Sequence, residues 1–405
     1  MVSDMTEKAF SGLRVLDCTQ GVAGSYCTKL LADFGAEVIK VENPQGGDCT
    51  RRMQPFAKNE PNPEKSGVFF YLNTSKKSIT LNLENEEGKK IFKKLVEGVS
   101  VLVESFEPGR MAELGLTTGL LKELNPRLVI TSISAYGQTG LYRNYKATNF
   151  TVYGTGGAMY TQRPGTRPTA RPVIEGGFQA EYSTGVLSYI ATIGALIKRG
   201  NSDKGISIDI SAMESVASTL MGHVAEYSYL GLSRRTSPFA IHGYPVGYSV
   251  PCKDGWISLT PGIGGAPNIA FLIGQPELQD DPLLSDPRTR MSNPEQFDAL
   301  ITSWLKDHTK WEVTREAQEL RLAFTPVLSP EELLEDEQIQ AREFFANVDH
   351  PAMGEVTYPG SPAKLSASPW QAGRAPLLGE HNEEIYGEIG YTKESLAKLR
   401  KKGII

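Results

Sequence analysis

The chain has 405 residues, 42 basic and 47 acidic, with a net charge of −5. Its length calls for two structural domains or one elaborated domain, and its charge balance excludes an overall basic field for nucleic acid or an anionic membrane. Cys18, Cys27, Cys49 and Cys252 fall in no metal-ligand spacing and form no secretory disulfide framework, and the scattered histidines make no HxxxH or HExxH pair, so no metal is expected. The N-terminal segment lacks an apolar signal core, and no run approaches the roughly 20 apolar residues of a membrane helix. A soluble, cytoplasmic protein is expected.

In chain order, LRVLDCT (Leu13 to Thr19) reads as a buried strand, followed by a small-residue turn and the short helix YCTKLLADFG, closed by Gly35. AEVIKVE (Ala36 to Glu42) is the next strand, and this compact βαβ unit implies parallel pairing. The alternation continues through strand Lys77 to Leu83, helix Glu86 to Gly98, strand Ser100 to Phe106, helix Leu120 to Asn125 and strand Leu128 to Ser134. A doubly wound α/β fold follows. Further on, Glu181 stands just ahead of an apolar helix running from Thr184-Gly185 to Arg199-Gly200, and GISIDIS then leads into a long helix rich in Ala, Ser and Met. From about Thr236 to Gly274 the chain is dense in Gly, Pro and aromatics, with strands GYSV and GWISLTP, then helix Pro294 to His308. The expected division is a large domain over 1–225, a small α+β domain over 226–330, and a segment 331–405 returning to the large domain.

Three stretches could carry chemistry. The turn Gln20-Gly21-Val22-Ala23-Gly24 sits between a strand and a helix, where backbone N–H groups can cradle an anion, although it is not a GxGxxG fingerprint and tight turn geometry explains it as well. Asp48 to Arg52, with Lys76-Lys77, supplies basic groups near strand ends, suited to a phosphorylated ADP moiety or to a solvated face. Glu181 is either a helix cap or a reactive carboxylate. Tyr153, Met159, Tyr160, Phe178 and Tyr182 suggest an apolar or aromatic wall near it, or else packing in the core. No G-x-S-x-G elbow or Walker A motif is present.

The ordered set LRVLD, LADFGAEVIKVE, GGDCTR, LNTSKKSITLNL, ESFEPG, LNPRLVITSISAYGQTG and RAPLLGEH resembles the family III CoA-transferases over nearly the whole chain. The resemblance implies a Rossmann-like large domain built from both ends of the chain, a smaller α+β domain between them, and two ring-shaped subunits interlocked as a dimer. It also implies a carboxylate nucleophile that attacks an acyl-CoA, such as succinyl-CoA, and passes coenzyme A through anhydride and thioester intermediates to an acceptor acid. Glu181 occupies the position of the family's aspartate. Gln20, Gly21, Val22, Ala23, Arg51, Lys76, Ser105, Phe106 and Lys146 match positions that hold or line the CoA site.

The departures from the pattern matter. A glutamate places its carboxylate more than an ångström beyond an aspartate's, and a misplacement of about 1 Å can cost about 10²-fold. Gln20, Ser105 and Asn149 stand where the family usually has histidine, asparagine and an acidic residue. Three arrangements are therefore open: a heterodimer in which this chain is the nucleophile-deficient subunit, supplying scaffold and binding surface to a homologous partner, a homodimer using Glu181 as nucleophile, or a non-catalytic acyl-CoA-binding or assembly subunit. A racemase using the same fold would need a histidine in the first domain, and the first one is His223.

Overall fold

The structure is a computed structural model that describes residues 8–161, 172–200, 202, 204–220, 222–231, 233, 249–260 and 265–405. The chain divides into two compact units, one taking in the described residues of 1–159, 173–220 and 342–405, the other those of 160–172 and 221–341.

The first unit is built on strands β1 (Arg14–Cys18), β2 (Glu37–Glu42), β3 (Lys77–Thr80), β4 (Val101–Glu104), β5 (Val129–Ser134) and β6 (Ser207–Ser211). They form one sheet in the order β3-β2-β1-β4-β5-β6, with every pairing parallel. Side chains alternate across it, as the period of two requires. Val15, Val38, Val101 and Val129 enter one apolar layer, while their neighbours Leu16, Ile39, Leu102 and Ile130 enter the other. Both faces are buried, which is why these strands read as nearly continuous apolar runs.

Helix α1 (Val22–Asp33) follows β1, α2 (Gly67–Leu72) precedes β3, and α3 (Glu86–Glu97), α4 (Arg110–Glu113) and α5 (Thr118–Leu124) fill the crossovers on either side of β4. Between β5 and β6 lie α6 (Asn149–Thr155), α7 (Ala158–Thr161) and the 22-residue α8 (Gln179–Gly200). Helix α8 begins two residues ahead of Glu181, so the carboxylate stands inside the first turn rather than before it. The long helix expected after β6 is two helices, α9 (Ala212–Ser218) and α10 (His223–Leu230), because Gly222 caps a new start.

The second unit carries a three-stranded antiparallel sheet of Ser249–Cys252, Gly255–Ser258 and Thr325–Pro326, packed with helices around Ile257, Ile269, Phe297 and Phe324. Residues 247 and 248 of the expected strand GYSV lie outside the described residues. In the first unit the returning C-terminal segment closes the β3 edge. Thr80 N–H donates to Asn382 Oδ1 at 2.8 Å, and Tyr386 Oη donates to the Thr80 carbonyl at 2.6 Å.

Beneath the carboxyl ends of β1 and β2 runs a buried chain of charges. Lys40 Nζ lies 2.9 Å from Asp48 Oδ2 and 3.7 Å from Asp17 Oδ2, and Lys76 Nζ lies 3.0 Å from the same Asp17 oxygen. Glu42 takes Arg51 at 2.7 Å, and Arg51 also reaches Glu64 at 2.7 Å and the Pro376 carbonyl at 3.2 Å. Burial alone would raise the Asp17 carboxyl, but Lys40 and Lys76, with the hydroxyls of Thr19 and Thr28, hold it well below the usual aspartate range. Removing one partner of such a pair strands a buried charge. Lys40→Met is expected to destabilise the protein by about 3–5 kcal/mol in urea unfolding monitored by circular dichroism; a loss within about 1 kcal/mol would contradict the network.

Candidate active site

The strand order reverses between β1 and β4, and ligands of open α/β sheets bind at such a switch point, outside the carboxyl ends of the strands. The chain leaves β1 through Thr19, Gln20 and Gly21, and Gly21 adopts φ 77°, a left-handed conformation that glycine takes without strain. Two bonds from the buried charges fix this turn: Lys40 Nζ donates to the Thr19 carbonyl at 3.0 Å, and Gly21 N–H donates to Asp48 Oδ1 at 3.4 Å. Gln20 N–H donates to Ser105 Oγ at 2.8 Å, tying the end of β1 to the end of β4, and Gln20 Oε1 accepts Cys49 N–H at 3.1 Å.

The turn leaves the first N–H groups of α1 without helical partners. Glu181 supplies one. Its Oε2 accepts Val22 N–H at 3.2 Å, and the Ala23 N–H also bonds this carboxylate. The contact requires the two helices to lie very close together. A Cβ on Gly185, one turn beyond Glu181, would fall 2.6 Å from the Ala23 carbonyl oxygen. Asn149, the first residue of α6, accepts Glu181's own N–H through Oδ1 at 3.4 Å. Burial pushes the Glu181 carboxyl above its ordinary value, against the pull of the Val22 and Ala23 N–H groups. The side chain is half-buried at the wall of a cleft of about 180 Å³. Gln20, Ser105, Ser134, Thr148 and Asn149 give the cleft its polar groups; Ala23, Gly24, Ile133, Ala135, Ala147, Val152 and Ala212 give it its apolar wall.

Of the residues singled out in the sequence, the fold brings Gln20, Gly21, Val22, Ala23, Ser105 and Glu181 to this place. Phe106 follows on the same loop, where its N–H donates to Glu104 Oε2 at 2.8 Å, and its ring packs on the apolar layer beneath. Lys146 is exposed, paired with Glu107, and directly precedes Ala147 on the cleft wall. Arg51 and Lys76 are different. Their charged groups have no exposure and are consumed by Glu42, Glu64 and Asp17, so they are struts of the fold rather than cations offered to a ligand. Of the expected apolar or aromatic wall, the apolar part is aliphatic, while Tyr153 packs in an apolar cluster with Val152 and Val216 and Tyr182 stacks edge-on against Tyr26 at 4.8 Å. Lys40 and Asp48, which position the turn, were not read as site residues. The signal was present in AEVIKVE, where a lysine interrupts a strand between Ile39 and Val41.

A family model described as CoA-transferase family III matches residues 10–382. The formyl-CoA:oxalate CoA-transferase of Streptomyces coelicolor is 35% identical over 99% of this chain and 100% of its own length. That of Bradyrhizobium diazoefficiens is 33% identical over 98% of this chain and 97% of its own. The crystal structure of a CAIB/BAIF family protein from Brucella suis superimposes with a TM-score of 0.83 at 27% identity, covering 95% of this chain and 100% of that one.

The close approach of α8 to α1 yields a paired prediction. Gly185→Ala is expected to cost about 1–3 kcal/mol, because the added methyl overpacks against the Ala23 carbonyl. Gly194→Ala in the same helix, where a Cβ meets nothing within 4 Å, is expected to gain about 0.5–1 kcal/mol. Thermal unfolding of both variants checks this, and similar shifts in the two would contradict the packing.

Proposed function

The chain belongs to CoA-transferase family III, and on that premise we propose that it moves coenzyme A from an acyl-CoA to a carboxylic acid with Glu181 as its own nucleophile. The observation that carries this reading is the placement of the Glu181 carboxylate, half-buried at the cleft wall with one oxygen held by the N-terminus of α1. With Oε2 anchored, Oε1 is the oxygen free to attack.

Oε1 adds to the thioester carbonyl of the donor, and the collapsing tetrahedral intermediate expels the CoA thiolate and leaves a mixed anhydride on Glu181. The thiolate then attacks the glutamyl Cδ, releases the donor acid as a carboxylate, and leaves a glutamyl-CoA thioester. The acceptor carboxylate repeats the exchange in reverse: it displaces thiolate to form a second anhydride, and thiolate takes the acceptor acyl group and frees Glu181. Negative charge develops on the glutamyl oxygen each time its carbonyl is attacked, and that oxygen rests at the Val22 N–H and the positive end of the α1 dipole. Splitting one hard displacement into steps at a positioned carboxylate is the advantage of covalent catalysis. In this reading coenzyme A lies along Gln20 to Ala23 and Ser105-Phe106, with Lys146 toward its phosphates.

The same placement favours a self-sufficient enzyme over a subunit that leaves the chemistry to a homologous partner. The curated relatives above, named as formyl-CoA:oxalate CoA-transferases, support the same choice because they align along their full lengths. We place this chain in a homodimer of the interlocked kind. The stripe of exposed Val186, Ile190 and Ile197 on α8 supports an apolar contact between copies. Among the described residues no helix is long and apolar enough to cross a membrane.

Intact mass spectrometry after incubation with an acyl-CoA tests the nucleophile. A CoA-sized or hydroxylamine-trapped adduct is expected on the wild-type chain and absent from Glu181→Gln, with turnover reduced on the order of 10³-fold or more. An adduct that persists in the variant would contradict the assignment. The pH dependence has a definite sign. Attack needs the carboxylate, and a raised carboxyl stays protonated to higher pH, so kcat is expected to fall on its acid side at a pH above the ordinary glutamate range. An acid limb at or below that range would show a more exposed group at work.

A further inference from the structure

The covalent route charges two different carbonyl oxygens in turn. The glutamyl oxygen rests at the Val22 and Ala23 N–H groups, which serve the steps in which the glutamyl carbon is attacked. The acyl oxygen of the donor, and later of the acceptor, is charged in the other steps and lies elsewhere. A hydrogen-bond donor for it has to stand at the cleft beside Glu181, with its direction fixed before the charge forms. Gln20 meets both conditions. It is exposed and lines the cleft together with Glu181. Its backbone is clamped to the end of β4, where its N–H donates to Ser105 Oγ at 2.8 Å and the same hydroxyl returns to its carbonyl at 3.4 Å. Its side chain is clamped separately, with Oε1 accepting Cys49 N–H at 3.1 Å. A backbone N–H can only donate, so the arm of the carboxamide facing Cys49 is the oxygen, and the other arm is the NH2 group with its two hydrogens. Cys49 is itself fixed: it opens the short helical turn Cys49–Arg52, capped by Asp48, whose carboxylate Lys40 holds. Cys49 Sγ and Glu181 Oε2 each lie 3.9 Å from the place a Cβ on Gly21 would occupy, so the anchor of the amide and the nucleophile flank one glycine.

Resting on the reading of Glu181 as nucleophile, we propose that Gln20 is a catalytic residue whose Nε2 donates a hydrogen bond to the acyl oxygen while the acyl carbon is tetrahedral. As Glu181 Oε1 bonds the thioester carbon, the carbonyl π pair moves onto the acyl oxygen. When that pair re-forms the carbonyl, the carbon–sulfur bond breaks and the thiolate leaves. In the last step the thiolate bonds the acyl carbon of the second anhydride, charges the acceptor's acyl oxygen in the same way, and expels the Glu181 carboxylate. The tether to Cys49 aims the amide before either step, so no side-chain reorganisation is needed at the moment of reaction. The same buried charges that shape the turn under Val22 thus direct a second donor at the other carbonyl.

Two variants separate the donor from its anchor. Gln20→Glu keeps an oxygen for Cys49 N–H and removes the NH2 group, and Gln20→Met removes the donor without adding charge. The probes are formyl-CoA, acetyl-CoA and succinyl-CoA, with the thioester that labels the wild-type chain fastest used throughout. Intact mass spectra then follow two rates. Formation of the glutamyl-CoA thioester passes through the charged acyl oxygen, whereas its cleavage by hydroxylamine, to glutamyl hydroxamate and free coenzyme A, charges only the glutamyl oxygen. Both variants are expected to form the thioester on the order of 10²-fold more slowly and to lose it to hydroxylamine at the wild-type rate. Equal slowing of the two rates would make Gln20 a strut of the turn and overturn the proposal. Slowing confined to one variant, which would reflect added charge or a lost anchor, would overturn it as well, as would slowing in neither. A wild-type chain that no probe labels at Glu181 would overturn the nucleophile itself, and the role of Gln20 with it.

Discussion

The ammonium of Lys40, buried between Asp17 and Asp48, is the contact on which the arrangement of the site depends. It holds the Thr19 carbonyl directly and holds Gly21 through Asp48, so one cation sets both ends of the turn that opens α1. Ion pairs this deep contribute little net stability, because desolvation offsets most of the attraction, but removing one member is costly. What the pair supplies here is geometry. Asp48 N–H and the Arg51 guanidinium both end on Glu42, and Arg51 continues to Glu64 and Pro376, so the same chain of charges ties the turn to the returning C-terminal segment.

A helix N-terminus needs partners for its free N–H groups, and this fold answers with a side chain from more than 150 residues away. Glu181 arrives because α8 packs against α1 without a side chain at Gly185. The extra methylene of glutamate relative to aspartate bears on this contact. The longer side chain spans from the first turn of α8 to the backbone of Val22, and Asn149 secures the α8 end by accepting the Glu181 N–H. The site is thus assembled from the strand ends and helices of one unit, a placement that would hold the proposed nucleophile to the tolerance that covalent catalysis demands.

The sheet was legible in the sequence because parallel strands buried on both faces leave uninterrupted apolar runs, and β1 through β5 stand within a few residues of those runs. The turn at Gln20 and the carboxylate at Glu181 were legible as a strand-to-helix junction and a charged helix start. Their meeting was not, since nothing local relates residue 22 to residue 181. The basic residues misled for a related reason. Arg51 and Lys76 look like ligand-binding cations in DCTRR and NTSKKS, but Glu42, at the end of β2, claims Arg51 as the chain turns back, and Asp17, two strands away from the start of β3, claims Lys76, so the pairings show only once the chain is folded. The break at Gly222 carried a local signal, a glycine that disfavours a helix interior, but the helix-compatible residues on both sides of it read as one helix.

The most direct test of the account is a crystal structure of the wild-type chain frozen during turnover with an acyl-CoA. The account predicts continuous density from Glu181 Cδ to the sulfur of coenzyme A, with the glutamyl carbonyl oxygen within hydrogen-bond distance of Val22 N–H. Coenzyme A bound in the cleft beside an unmodified Glu181 that still caps α1, under conditions where product accumulates, would contradict it.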